Sequence, residues 1–229
     1  MEIKKPPKLI GLTGPYCAGK NHVALMLEQR GVPVLDLDKL GHKVIEAEKE
    51  RLVARFGADI LNACGDDTGS DDSGGVDSGG NSGSVRIDRK RLGKKVFGKA
   101  GELAALEDII HPGVNRETLD WIAAQQEKAC VINAALLHRS SAFKHLDAII
   151  IVEACVFVRL LRARKRDRLP WAVLLKRFQS QRRFSSQYSL GKADIYIIEN
   201  SGFYGFKSSP RQGKLENRIN EIFSLMGIK

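Results

Sequence analysis

The chain has 229 residues, 43% of them apolar, enough for one α/β domain of ordinary size or a core carrying one or two inserted subdomains. No run approaches the ~20 apolar residues that span a bilayer, and Met1–Pro7 (MEIKKPP) lacks the apolar stretch of a signal peptide, so membrane and secreted classes are excluded as expectations. The formal charge of +10 leaves two kinds of partner open, nucleic acid or small polyanionic substrates, and the placement of the charge has to decide.

Lys8-Leu9-Ile10 opens a short apolar run that reads as a buried strand, and His22 to Arg30 carries Val23 and Leu27 at helical spacing before Gly31 stops it. Between them lies Gly14-Pro15-Tyr16-Cys17-Ala18-Gly19-Lys20, the G-x-x-x-x-G-K pattern of a phosphate-binding loop. Its glycines let several backbone N–H groups point into one concavity, which the positive end of the following helix reinforces. Lys20 supplies a point charge for β- and γ-phosphates. Asn21 stands where the pattern calls for a Ser or Thr hydroxyl on Mg²⁺; its amide oxygen is a possible ligand one bond further out.

Val32 to Asp38 is the second predicted strand, with Val34, Asp36 and Asp38 sharing one face. Two carboxylates at the carboxyl end of a strand beside the loop lie where open α/β sheets bind ligands. Asp36 is favoured for function, and Asp38 is divided between helix N-cap and metal or substrate work. Lys39 to Phe56 reads as a helix ended by Gly57, and 58–63 as a short helical turn. Gly65 to Ser84 is Gly/Ser/Asp-rich and aperiodic with one apolar residue; it reads as a solvated, disordered insertion, since it lacks the glutamate and spacing of an EF-hand loop. Arg86 to Phe97 restarts a basic helix capped by Asp88, and Glu102 to Ile110 follows with a Leu103, Leu106 and Ile110 stripe. His111-Pro112 is expected to break that helix, leaving His111 as a ligand, an acid or a structural cap, and a further helix runs from about Gly113 to Glu127.

Cys130 to Leu137 and Asp147 to Val152 are strands whose unbroken apolar character implies a parallel sheet. Val131-Ile132-Asn133-Ala134 ends without the aspartate that many phosphate-loop enzymes use for Mg²⁺, which shifts weight onto Asp36 and Asp38. From Arg159 to Arg183 ten Lys and Arg face Asp167 alone, divided by Leu169-Pro170 into a helical hairpin. Beside a phosphate loop this reads as a lid; an RNA-binding arm would need interleaved aromatics, and Trp171, Phe178 and Phe184 are too few. Ala193 to Ile198 is the last strand, Asn200-Ser201-Gly202 a turn at its carboxyl end, and Leu215 to Met226 the closing helix. Cys17, Cys64, Cys130 and Cys155 are scattered without CxxC spacing and read as small buried thiols of a reducing cytoplasm.

Taken together these pieces resemble the dephospho-CoA kinase family over nearly the whole chain outside 65–84. The pieces are Gly11-Leu12-Thr13-Gly14 into Gly19-Lys20, the D-x-D of Asp36 and Asp38, Arg89-Lys90-Arg91-Leu92 with Val96-Phe97, and Leu106-Glu107 with His111-Pro112. Arg162, Arg166-Asp167, Gln181, Ala193-Asp194 and Asn200-Ser201-Gly202 complete the set. The resemblance implies a phosphate-loop nucleotide-kinase fold, with a parallel sheet core (8–38, 129–158 and 184–229), a helical CoA-binding domain (39–128) holding the insertion, and an arginine-rich lid (159–183). It implies ATP-dependent phosphorylation of the ribose 3′-hydroxyl of dephospho-CoA by a cytoplasmic monomer without nucleic-acid or membrane partners. The nucleotide would be held by Gly14, Pro15, Tyr16, Cys17, Ala18, Gly19, Lys20, Asn21 and Asn200. Catalysis would fall to Lys20, Asp36, Arg162 and Arg166, Mg²⁺ to Asn21 and Asp36, and the acceptor substrate to Asp38, Arg89 and His111. Two departures bear on metal handling: Asn21, where the family shows Ser or Thr, and Ala135-Leu136-Leu137-His138-Arg139, where it shows P-L-L-x-E. Another small-molecule kinase on this core, such as a nucleoside monophosphate kinase, and a non-enzymatic nucleic-acid binder stay open as alternatives.

Overall fold

Strands without polar alternation need cover on both faces. The computed structural model describes residues 6–62, 85–181, 184, 188, 193–202 and 210–228. In chain order these form β1 (Lys8–Thr13), α1 (Lys20–Glu28), β2 (Val34–Asp36), α2 (Leu37–Ala47), α3 (Lys49–Phe56), β3 (Leu61–Asn62), β4 (Arg86–Ile87), α4 (Arg89–Val96), α5 (Ala100–Ala124), β5 (Ala129–Asn133), β6 (Ala148–Glu153), α6 (Val156–Asp167), α7 (Trp171–Ser180), β7 (Asp194–Glu199) and α8 (Pro210–Leu225). The chain folds as two compact units, Met1–Asp38 with Glu117–Lys229, and Lys39–Arg116.

The first unit is built on a parallel sheet of order β2-β5-β1-β6-β7. Residues of odd and even number divide between its faces. Ile10, Leu12, Val131, Ile150 and Val152 pack with Val23 and Leu27 of α1 and Ile219 and Ile222 of α8. Leu9, Cys130, Ile132, Ile149 and Ile151 pack with Leu137, Leu146, Phe184 and Tyr188. The register pairs Leu12 with Asn133 and Ile150, and Asp36 with Asn133, so the carboxyl ends of β1, β2 and β5 lie side by side. That edge is where ligands meet open α/β sheets.

The second unit packs Leu52, Phe56, Ile60, Ile87, Leu92 and Val96 into its own core. Asp88 caps α4, its carboxylate accepting the N–H groups of Lys90 and Arg91, as its place ahead of the basic run led one to expect.

Four expectations are corrected. The helix foreseen over 39–56 is two helices, α2 and α3, separated at Glu48. The turn foreseen over 58–63 is a 3₁₀ turn at Ala58–Ile60 followed by β3, which pairs antiparallel with β4 through Leu61↔Ile87 and Asn62↔Arg86. Pro112 does not break its helix, because α5 runs through it. The ring removes one hydrogen bond at Asp108, and close packing at the next residue accompanies the continuity: a Cβ on Gly113 would stand 2.8 Å from Val44 Cγ1. Of the three described thiols only Cys130 is buried; Cys17 is half-buried and Cys155 exposed. Residues 65–84, Cys64 and Arg182-Arg183 lie outside the described residues. No helix among the described residues is long and apolar enough to cross a membrane.

Candidate active site

β1 delivers the chain to the loop with Thr13 fully buried, its hydroxyl donating to the Ala134 carbonyl at 2.9 Å. Gly14 follows where nothing larger fits: a Cβ there would lie 2.4 Å from the Val152 carbonyl oxygen. The loop then closes a turn of its own, Ala18 N–H donating to Pro15 C=O at 3.0 Å. Cys17 sits at φ 59° and Gly19 at φ 98°. Left-handed backbone is free for glycine but strained for cysteine, and such residues persist only where their surroundings over-determine them. Lys20 begins α1, so the positive amino end of the helix follows directly on the loop.

Lys20 Nζ donates to three oxygens: Asp38 Oδ2 at 3.1 Å, Asn21 Oδ1 at 3.1 Å and Asn133 Oδ1 at 3.2 Å. Asn133 Nδ2 in turn lies 3.3 Å from Asn21 Oδ1 and 3.4 Å from Asp36 Oδ2. Asp36 and Asp38 do not share a strand face as expected, because β2 ends at Asp36 and α2 begins at Leu37. The capping expected of Asp38 is performed by Asp36, whose Oδ1 accepts the Asp38 N–H at 3.0 Å. Asp38 is released from that duty and turns its carboxylate to Lys20.

The outer side of the loop is held from α6. Arg159 Nε donates to the Tyr16 carbonyl at 2.9 Å. Arg162 Nη1 donates to the carbonyls of Ala18 at 3.1 Å and Cys17 at 3.4 Å, while its Nη2 reaches Asn200 C=O at 2.8 Å and Gly202 C=O. Asn200 Nδ2 adds a bond of 2.9 Å to the Ala18 carbonyl. These bonds fix the carbonyls of Tyr16, Cys17 and Ala18, and the Tyr16 N–H is held by Gln181 Oε1 at 2.7 Å. Burial depresses the Arg159 pKa and raises that of the Cys17 thiol; burial and the Arg162 charge lower that of His22.

The structure thus brings Gly14 to Asn21, Asp36, Asp38, Arg162 and Asn200 into one site. Arg166 lies over the Tyr16 ring, its guanidinium carbon 5.1 Å from the centroid, with Nε 2.7 Å from Asp167. Arg89 and His111 belong to the second unit. There Arg89 Nη1 meets His42 Nδ1 at 2.9 Å, and His111 is exposed on α5. Two residues of the site were not among those expected. Asn133 was visible only as a polar residue closing an apolar strand, and Arg159 as the first cation of a run, one helical turn before Arg162 on the same face.

Among the described residues no three His, Cys, Asp or Glu converge on one point. The oxygens of Asn21, Asp36 and Asp38 nonetheless suit a hard cation such as Mg²⁺, which takes one or two carboxylates and leaves its other positions to phosphate and water.

A strand, a G-x-x-x-x-G-K loop and a helix at the carboxyl edge of a parallel sheet define a phosphate-loop kinase fold. Shikimate kinase from Bacteroides thetaiotaomicron shares it at 13% identity and TM-score 0.50, covering 96% of this chain and 98% of that one. The crystal structure of TT1252 from Thermus thermophilus is closer in shape, with 25% identity, TM-score 0.72 and the same shares covered. The chain belongs to the dephospho-CoA kinase family, whose model matches residues 8–68 and 81–204. Among relatives, the dephospho-CoA kinase of Treponema denticola is 30% identical over 87% of this chain and 85% of its own. That of Halalkalibacterium halodurans is 31% identical over 85% and 88%.

Proposed function

We propose that the protein transfers the γ-phosphoryl group of ATP to the ribose 3′-hydroxyl of dephospho-CoA, giving coenzyme A. Family membership supports the substrate. The single observation that carries the chemistry is the contact set of Lys20: its ammonium stands at the mouth of the loop, bound by one carboxylate and two amide oxygens that phosphate oxygens can replace. Phosphoryl transfer asks a protein mainly for positioning and charge neutralisation. Lys20 and the loop amides hold the β- and γ-phosphates. Asp36, capping α2 and bonded through Asn133, is held in place to accept or orient the proton of the attacking hydroxyl. Asn21, Asp36 and Asp38 are the residues that would hold Mg²⁺, which when bound neutralises charge across the β- and γ-oxygens.

The hairpin of α6 and α7 acts as the lid. Arg166, exposed and, among the described residues, in contact with its neighbour Asp167 and the Tyr16 ring, is its candidate for the transferring group. Arg162 reaches that group only by leaving the carbonyls of Cys17, Ala18, Asn200 and Gly202; while it stays, it positions the loop. Arg89 and His111 are the candidates for the acceptor in the helical CoA-binding domain proposed over 39–128. The basic residues of the hairpin favour this reading over nucleic-acid binding, since Arg159, Arg162, Arg164, Arg166 and Arg177 are committed to carbonyls, aromatic rings or Asp167 instead of forming a bare basic face. Free thiols at Cys17, Cys130 and Cys155 fit a reducing cytoplasm. The test is coupled ADP release with dephospho-CoA against AMP, nucleosides and pantetheine compounds. Turnover with dephospho-CoA alone is expected, and preference for AMP would move the assignment to a nucleoside monophosphate kinase.

A further inference from the structure

Tyr16 is the third residue of the phosphate loop, yet its contacts belong to the α6–α7 hairpin. Its backbone N–H donates to Gln181 Oε1 at 2.7 Å, and its carbonyl accepts from Arg159 Nε at 2.9 Å. Its ring meets Phe178 edge-on, centroids 5.7 Å apart at 78°, and carries the guanidinium groups of Arg166 at 5.1 Å and Arg177 at 5.7 Å. Arg159 adds to the cluster, 4.8 Å from the Phe178 centroid and only 8% exposed. One loop residue is therefore gripped at both peptide groups and on its side chain by three parts of the hairpin: α6, α7 and the residue after α7.

The residue that follows, Cys17, holds a left-handed conformation that a side-chain-bearing residue does not keep unaided. The loop's own bond, Ala18 N–H to Pro15 C=O, spans Tyr16 and Cys17 without fixing either peptide group between them. The grip on Tyr16 supplies that constraint together with Arg162, which holds the Cys17 and Ala18 carbonyls.

We propose that Tyr16 is a positioning residue that makes the nucleotide affinity of the phosphate loop depend on docking of the α6–α7 hairpin. This rests on the nucleotide-binding reading above. By linkage the dependence is reciprocal: whatever factor docking adds to nucleotide affinity, nucleotide adds to docking. The coupling runs through the ring, on which cations and an aromatic edge from both helices converge, and through the Tyr16 N–H held by Gln181.

The experiment uses the full chain with ATP in EDTA and reads two quantities, ATP affinity by calorimetry and ATP-dependent protection of the hairpin from trypsin at Arg166 and Lys176. In the unaltered protein ATP binds and slows cleavage. Tyr16→Leu is expected to weaken ATP about tenfold and, at saturating ATP, to lose the protection. Tyr16→Phe keeps the ring and is expected to restore both to within about threefold. Gln181→Leu, which leaves the loop sequence intact, reproduces the loss if Tyr16→Leu fails to fold. Tyr16→Leu together with Gln181→Leu is expected to be no worse than Tyr16→Leu alone, as for two halves of one coupling. The proposal is overturned if Tyr16→Leu and Gln181→Leu bind ATP as the unaltered protein does, or if they bind weakly but protect fully at saturation, the pattern of a merely structural residue. Absence of ATP binding by the unaltered protein removes the nucleotide reading itself and this inference with it.

Discussion

Replacing Asp36 by asparagine separates two duties that one carboxylate performs. Its Oδ1 accepts the Asp38 N–H at 3.0 Å and so caps α2, and its Oδ2 lies 3.4 Å from Asn133 Nδ2 on the side toward Lys20. Asparagine keeps the capping oxygen, and Asn and Asp are near-equal N-caps, so Asp36→Asn is expected to move stability by no more than a few tenths of a kcal/mol. Alanine removes the cap at about 1 kcal/mol, a fall of about 2–4 °C in Tm for a chain of this size. A positioned general base contributes about 10²- to 10⁴-fold in rate, so the loss of proton acceptor and charge in Asp36→Asn is expected to lower kcat by at least about 10²-fold, or about 2.7 kcal/mol on the barrier. The assay pairs coupled ADP release at saturating ATP and dephospho-CoA with thermal unfolding of the same samples. A flat Tm with a collapsed kcat and unchanged ATP affinity in EDTA is the expected signature of a group that acts in turnover, as base or through the metal, and not in holding the metal-free nucleotide. An Asp36→Asn enzyme within tenfold of the unaltered rate, beside an inactive Asp38→Asn, would refute the assignment and pass the base to Asp38.

Asp38→Asn frees Lys20 from an ion pair at 3.1 Å whose carboxylate is 49% exposed. Such a pair is worth about 0.2–1 kcal/mol, so ATP affinity without metal is expected to rise about 1.5- to fivefold by calorimetry, an effect that high salt erases and that unchanged affinity at low salt would contradict. Removing residues 69–80, the segment the family model passes over, roughly halves the connection between the paired residues Asn62 and Arg86. A gain of about 0.6 kcal/mol in loop-closure entropy and undiminished turnover are expected, and precipitation or lost activity on deletion would show that the segment contributes to the fold. His138 and His22 are both held below the ordinary histidine pKa, chiefly by burial and then by Arg139 and Arg162. The unfolded chain therefore takes up protons first as pH falls, and stability is expected to be level above about pH 7 and to decline below about 6.5, with Tm at pH 7.5 and 5.5 as the measurement; His138→Gln should flatten the decline.

The three inner sheet strands were legible because buried parallel strands announce themselves as apolar runs; the edge strands β2 and β7, half-buried and largely exposed, still carry apolar stretches. The loop was legible because G-x-x-x-x-G-K between strand and helix has few other uses. Shorter features were not. A two-residue strand such as β3 has no periodicity to read, and its partner lies beyond a long polar stretch. The division of labour between Asp36 and Asp38 turned on where strand gives way to helix: a boundary one residue past Asp36 makes that residue the cap, and no pattern in Val-Leu-Asp-Leu-Asp fixes the boundary to one residue. Pro112 misled for a related reason, since its cost is set by what the surrounding turn can give up, which only the packed helix shows. Asn133 was seen as a missing aspartate when it is a bridge between Lys20, Asn21 and Asp36.

The β3–β4 ladder has a use outside the protein's own chemistry. Antiparallel partners such as Asn62 and Arg86 hold their Cα atoms about 5 Å apart, anchored on the core of Leu52, Ile60, Ile87 and Leu92. Any folded module whose own ends lie that close, a fluorescent barrel or an affinity tag among them, can be spliced between these two residues without stretching the unit that holds them. The ladder is a ready-made socket for a reporter, placed on residues to which no part in the phosphoryl transfer is assigned.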